Sequence, residues 1–147
     1  MRNLWLKLLI AVCVVLVAGS TVWVHAGQAG ERDAKGETKL AVLWTSGDPH
    51  VAERMGFMYL HNAQKVGWFD RTELIVWGPS AKLLSENKGL QKQVKQMMED
   101  GVRVRACIVC ARTYGVVDDL RDMGITVVPM GKPLTEMLQS DWKVLSL

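Results

Sequence analysis

The chain has 147 residues, 49% of them hydrophobic and 22% charged, which is enough apolar material for one packed domain and excludes a disordered polymer. The formal charge of +3 is concentrated at the amino end. Residues 1–26 carry Arg2 and Lys7 and no acidic residue, so the remainder holds 16 basic against 15 acidic residues. A near-neutral remainder makes no case for nucleic acid or for a broad anionic surface.

Arg2 and Lys7, the apolar run from Leu8 to Ala18 and the small-residue end Val24-His25-Ala26 form the layout of a secretory signal. Cleavage is expected after Ala26, giving an exported, periplasmic protein. The alternative is an uncleaved anchor over residues 4–24, nearly the length of a bilayer span, with the domain facing the periplasm and that segment as its sole membrane contact. Cys13 lies inside the apolar run after Val12 and leaves with the signal. Residues 27–38 (GQAGERDAKGET) are polar and glycine-bearing, a flexible linker to a domain expected over 39–147.

Within that domain apolar runs alternate with helical patterns. Leu40 to Trp44 is a short continuous apolar run, as in a strand covered on both faces. Asp48 then caps a helix opened by Pro49 and closed by Gly67. Ala52, Met55, Gly56, Tyr59, Ala63 and Val66 share its predicted inner face. A second strand is expected over Glu73 to Trp77, and Gly78-Pro79-Ser80 turns it into a short helix around Leu83 and Leu84. A helix from Leu90 to Asp100 directs Leu90, Val94, Met97 and Met98 inward. Val102 to Cys107 forms the third strand, followed by helical sequence to Met123 with a break at Gly115. Ile125 to Val128 is the fourth strand, Leu134 to Gln139 a short helix and Trp142 to Leu147 the fifth strand. The alternation predicts a single α/β domain, a mainly parallel sheet of about five strands with helices on both faces.

In open parallel sheets reacting groups gather beyond the carboxyl ends of the strands. That edge collects Thr45 to His50, Gly78 to Ser80, Cys107 to Arg112 and Pro129 to Lys132. Cys107-Ile108-Val109-Cys110 stands out there, with Cys107 closing a strand and Cys110 in the first turn of the next helix. Helix starts favour thiolate over thiol, and Arg112 in the same helix adds to that bias. His50 is a candidate base for Cys107 and Lys132 a candidate steering charge for an anionic sulfur species. The blander reading of His50 and Lys132 is a solvated surface residue. The competing readings of the pair, which weigh less, are a structural disulfide, with little entropic benefit from so short a loop, and interior cysteines, one or both. A zinc site would need a second closely spaced pair, which is absent, so no metal and no cofactor is expected.

Three stretches, KLAVLWTSGDP, ELIVWGPSAKLL and VRVRACIVCARTYGV, together with the closing WKVLSL, resemble the DsrE/DsrF-like family of sulfur-relay and YchN-type proteins over Lys39 to Leu147. The resemblance implies a compact α/β fold, assembly into trimers or hexamers, and a cysteine that carries persulfide sulfur between donor and acceptor proteins. In the relay members that cysteine stands eight residues before a glycine, which places the role on Cys107, eight before Gly115. Cys110 has no counterpart in the relay pattern, and Arg112-Thr113-Tyr114 departs from its basic pair. Export departs from the cytoplasmic setting of those members.

The leading expectation is an exported sulfur-handling protein in which Cys107 accepts sulfane sulfur and Cys110 resolves the persulfide. The alternatives are a thiol-disulfide redox protein using the same pair and a non-catalytic oligomeric binding module. Against the redox reading, Pro129 stands nineteen residues beyond Cys110, directly after the next strand, so the thioredoxin order of elements is missing.

Overall fold

The computed structural model describes residues 36–147; the expected signal and most of the linker lie outside them. Five strands, β1 (Lys39–Trp44), β2 (Arg71–Val76), β3 (Arg103–Cys107), β4 (Thr126–Val128) and β5 (Lys143–Ser146), form one sheet in the order β4-β3-β2-β1-β5. Every neighbouring pair is parallel. The first helix is built in three parts, α1 (Pro49–Val51), a π-helical stretch (Ala52–Phe57) and α2 (Met58–Val66). The others are α3 (Pro79–Glu86), α4 (Lys88–Glu99), α5 (Ile108–Tyr114), α6 (Val117–Asp122) and α7 (Gly131–Leu138). Among the described residues no helix is long and apolar enough to cross a membrane.

The strand order explains the layering. From β1 to β4 the chain always steps in the same direction, and right-handed crossovers then place all the intervening helices on one face. The return from β4 to β5, on the far side of β1, carries α7 across the other face. The larger core accordingly joins Val42, Trp44, Leu74, Val76 and Ala106 to the helices between β1 and β4. The smaller one joins Ala41, Ile75, Cys107 and Met130 to Met137 of α7. Helices thus cover both faces as expected, one face far more fully than the other.

Local signals set the boundaries. Asp48 accepts a hydrogen bond from the His50 backbone N–H at 2.8 Å, with Pro49 next to it. Asn87 caps α4 through its side chain, accepting from Leu90 N–H. Gly67 and Gly115 end their helices in the left-handed region, at φ 71° each, where a side chain would strain the backbone. The domain's start is clasped by Thr38, whose N–H and hydroxyl both donate to Asp70 Oδ2 at 2.8 and 2.7 Å. At the other end Thr45 N–H and Oγ1–H donate to the Leu147 carbonyl, which ties β5 onto β1.

One helical face differs from its prediction. Ala52, Gly56 and Ala63 are buried, but Met55, Tyr59 and Val66 are exposed, and Phe57 and Leu60 take the inner positions. The π-helical stretch is the cause. A turn closed by i→i+5 bonds holds more residues than an α-turn, so the stripe beyond it rotates away from a 3.6-residue extrapolation. Phe57 thereby meets Trp44 edge to face, with centroids 5.0 Å apart.

Candidate functional site

The carboxyl ends of the strands bring three loops together around the cysteines. The Ser46-Gly47 loop packs on the β2–α3 turn, where a Cβ on Gly47 would lie 3.4 Å from Pro79 Cβ. Ser80, fully buried, fastens that turn to β1: its hydroxyl donates to the Trp44 carbonyl at 2.6 Å and accepts from Trp77 N–H at 3.0 Å. Gly78 turns the corner at φ 68°, ψ −138°, a conformation open to glycine and strained for other residues. We predict that Gly78→Ala lowers stability by about 1–2 kcal/mol, to be read by chemical denaturation, and weakens the contact that Gly78 makes with Cys110.

Cys107 is both the last residue of β3 and the N-cap of α5, with extended backbone (φ −71°, ψ 116°). Cys110 is then the third residue of that helix. An N-cap and the third helical residue face one another, as they do in a capping box, and so the CxxC spacing brings the two thiols into contact. Both are free cysteines. Cys107 is 4% exposed and packs with Ala41, Ile75, Met130 and Met137. Cys110 is half-buried at the edge of the same cluster.

The helix start does not make Cys110 a ready thiolate, contrary to the sequence expectation. Burial pushes its thiol above the ordinary value, the Gly78 backbone N–H pulls the other way, and contact with Cys107 raises it further. Desolvation in an apolar cluster outweighs the few free N–H groups of a seven-residue helix. A thiol held protonated in the folded state supports folding below the unfolded thiol's pKa, and that support is lost as pH climbs through the higher folded value. We therefore expect the thiolate absorbance of Cys110 to rise at a pH above that of an unfolded thiol, and to shift back down in Cys107→Ser.

The supporting residues named from sequence are not gathered onto the sulfurs. His50 is exposed, and its imidazole has no hydrogen-bond or ion-pair partner among the described residues. Arg112 is exposed in the last turn of α5, where its charge faces the carboxyl end of the helix rather than the start. Lys132 is exposed and paired with Glu136 at 3.7 Å. The residue that sequence reasoning left without a role is Gly78, whose N–H meets Cys110. A Gly-Pro at a strand's carboxyl end was its available signal. Among the described residues no three His, Cys, Asp or Glu side chains converge in a way that would hold a metal.

The arrangement provides one covered and one half-open thiol in contact, beside a backbone donor. It suits sulfur-to-sulfur chemistry, with bonds made and broken between the two cysteines or with a thiol brought from outside.

Comparison with known proteins bears on this arrangement. A conserved protein of unknown function, BT1422 from Bacteroides thetaiotaomicron, is 36% identical, with 74% of this chain and 94% of that one covered and a TM-score of 0.72. The YchN protein of E. coli shares the fold at 12% identity, with 75% and 99% covered and a TM-score of 0.57. No curated protein matches the chain. The model of the DsrE/DsrF-like family matches residues 38–147, which is the whole sheet and every helix described above, and the chain therefore belongs to the DsrE/DsrF-like family.

Proposed function

We propose that this is an exported sulfur-handling protein in which Cys107 accepts sulfane sulfur and Cys110 acts as the resolving thiol. The observation that carries the reading is the pairing of two free cysteines at the β3–α5 junction, in contact with each other and unequally covered. Family membership adds to it, since a DsrE-like fold is one on which sulfur relay is plausible.

In the first step the Cys107 thiolate attacks the outer sulfur of a donor persulfide. The donor leaves as a thiolate and Cys107 becomes a persulfide. An acceptor thiol then takes the outer sulfur. Alternatively Cys110 attacks Cys107 Sγ, the outer sulfur departs as hydrosulfide and a Cys107–Cys110 disulfide forms, which a partner dithiol reduces. The apolar cover over Cys107 keeps water from a persulfide that is reactive in solution, and the half-open Cys110 stands at the entrance. The donor and acceptor are taken to be proteins, and export through the amino-terminal segment would place the exchange in the periplasm.

We also read the protein as a homo-oligomer, a trimer or hexamer. The outer edge of β5 is unpaired within the described sheet, and Met55, Met58, Tyr59, Val66 and Trp68 are exposed apolar side chains, more than a monomer ordinarily leaves in one region.

Intact-mass measurement after treatment with a sulfane donor tests the reading. The expected product is heavier by one sulfur atom and reverts on reduction with a dithiol. A chain that never gains sulfur but interconverts between dithiol and disulfide with an acceptor would make this a redox protein. Unchanged function in Cys107→Ala/Cys110→Ala would make it a binding module.

A further inference from the structure

The amino ends of the strands hold a second, chemically different place. On the face crossed by α7, Lys39, Arg71, Glu73, Arg103 and Arg105 stand together. The register pairs Lys39 with Arg71 and Glu73 with Arg103, and the alternation of side chains along a strand sends all five to one side. α7 covers the apolar half of this face and leaves the charged half open. A crevice of about 430 Å³ lies there, with Met137, Asp141 and Trp142 on its rim.

Glu73, fully buried, is among the residues that line it. Its Oε1 accepts from Arg105 Nε. Its Oε2 has no hydrogen-bond partner among the described residues, because Arg103 Nε stands at 3.9 Å, too far for a bond. A buried carboxylate oxygen without a donor is expensive, and this one is closed off from solvent. Because Glu73 and the half-exposed Arg103 both line the crevice, an outward turn of Arg103 is what opens that oxygen to a ligand. The missing partner is a donor, and a cationic one fits best.

The positive charge around it is unevenly committed. Lys39 is held by Asp141 at 3.3 Å and Glu37 at 3.4 Å. Arg71, half exposed, has Glu37 only at 3.8 Å and lies over the Trp142 ring at 5.8 Å. Arg103 is 56% exposed. Two guanidinium groups thus remain available beside an oxygen that needs a donor. A purely anionic ligand would meet Glu73, and a purely cationic one would meet the arginines.

We propose that this crevice binds a small zwitterion of the amino-acid or dipeptide class, its ammonium donating to Glu73 Oε2 and its carboxylate held by Arg71 and Arg103. Arginine suits a carboxylate because its planar fork matches both oxygens, and the volume is in the range of small-molecule sites. The site is separate from the thiols, since Arg103 and Cys107 are four strand residues apart, about 13 Å, and it does not depend on the sulfur reading.

The test is isothermal titration of the full chain with the neutral α-amino acids and glycylglycine, against propionate, propylamine and sulfate. At least one zwitterion should saturate the protein and bind at least about tenfold more tightly than either half-molecule, the factor expected when one charge-assisted hydrogen bond is lost. Glu73→Gln and Arg103→Met should each weaken it by at least about tenfold. Should Glu73→Gln fail to fold, the exposed Arg103 still decides. The proposal is overturned if no zwitterion saturates, if propionate or sulfate binds as well as the amino acids, or if Arg103→Met changes only the oligomeric state.

Discussion

Replacing Cys107 by serine should reduce sulfur uptake from a sulfane donor by at least about a hundredfold, since oxygen at ordinary pKa does not replace a sulfur nucleophile. Uptake is measured as the fraction of chain gaining one sulfur atom. The fold should survive, because Cys107 is a small residue in a cluster with Ala41, Ile75, Met130 and Met137 and a hydroxyl there costs about 1–3 kcal/mol. Cys110→Ser should behave differently. It keeps the acceptor and removes the resolving thiol, so the persulfide should form and persist longer than in the native chain. Equal loss in both variants would mean that the pair acts only as a disulfide couple. Unchanged uptake in Cys107→Ser would move the acceptor role off this residue.

The second large effect concerns the buried ion pair between β2 and β3. Glu73 is fully buried and Arg105 nearly so, at 9% exposed, so each charge depends on the other. Arg105→Ala strands the carboxylate of Glu73 in the sheet and should lower stability by about 3–5 kcal/mol, read as a fall in the denaturation midpoint. Removing both charges is expected to cost far less. Glu73→Leu/Arg105→Met should recover most of the loss, because a well-packed apolar pair can equal a buried ion pair. A double variant as unstable as Arg105→Ala would mean that the charges are needed by something more than each other.

Much of this architecture is written in local sequence. Leu40 to Trp44 and Val102 to Cys107 are apolar runs too short for helices, and both are strands. Asp48-Pro49, Gly67 and Gly115 mark helix ends by capping chemistry that acts over a few residues. The expected start of α7 is Leu134. In fact the helix begins at Gly131, since proline in a first turn forfeits no hydrogen bond.

What escaped the sequence depends on long-range packing. The π-helical turn at Ala52–Phe57 has no local signature, and it decides that Phe57 and Leu60, rather than Met55 and Tyr59, face the sheet. Glu73 and Arg105 carry no local sign of their pairing, because it is a diagonal contact between β2 and β3 in the interior, Arg105 standing opposite Ile75 in the register. At the candidate site, the position of the cysteines at a strand end and helix start was legible from their spacing. Their burial was not, because it comes from Met130 and Met137 at the far end of the chain. The same burial reverses the expected thiolate bias at Cys110. His50, Arg112 and Lys132 illustrate the converse, being close in the topology and yet solvated or paired elsewhere.

The central claim is that the covered thiol, not its half-open neighbour, carries the incoming sulfur. Peptide-level mass spectrometry after brief exposure to a sulfane donor and alkylation of persulfides tests it most directly. The added sulfur is predicted on Cys107, with Cys110 recovered either unmodified or joined to Cys107. Sulfur found on Cys110 alone, or on neither cysteine, would contradict it.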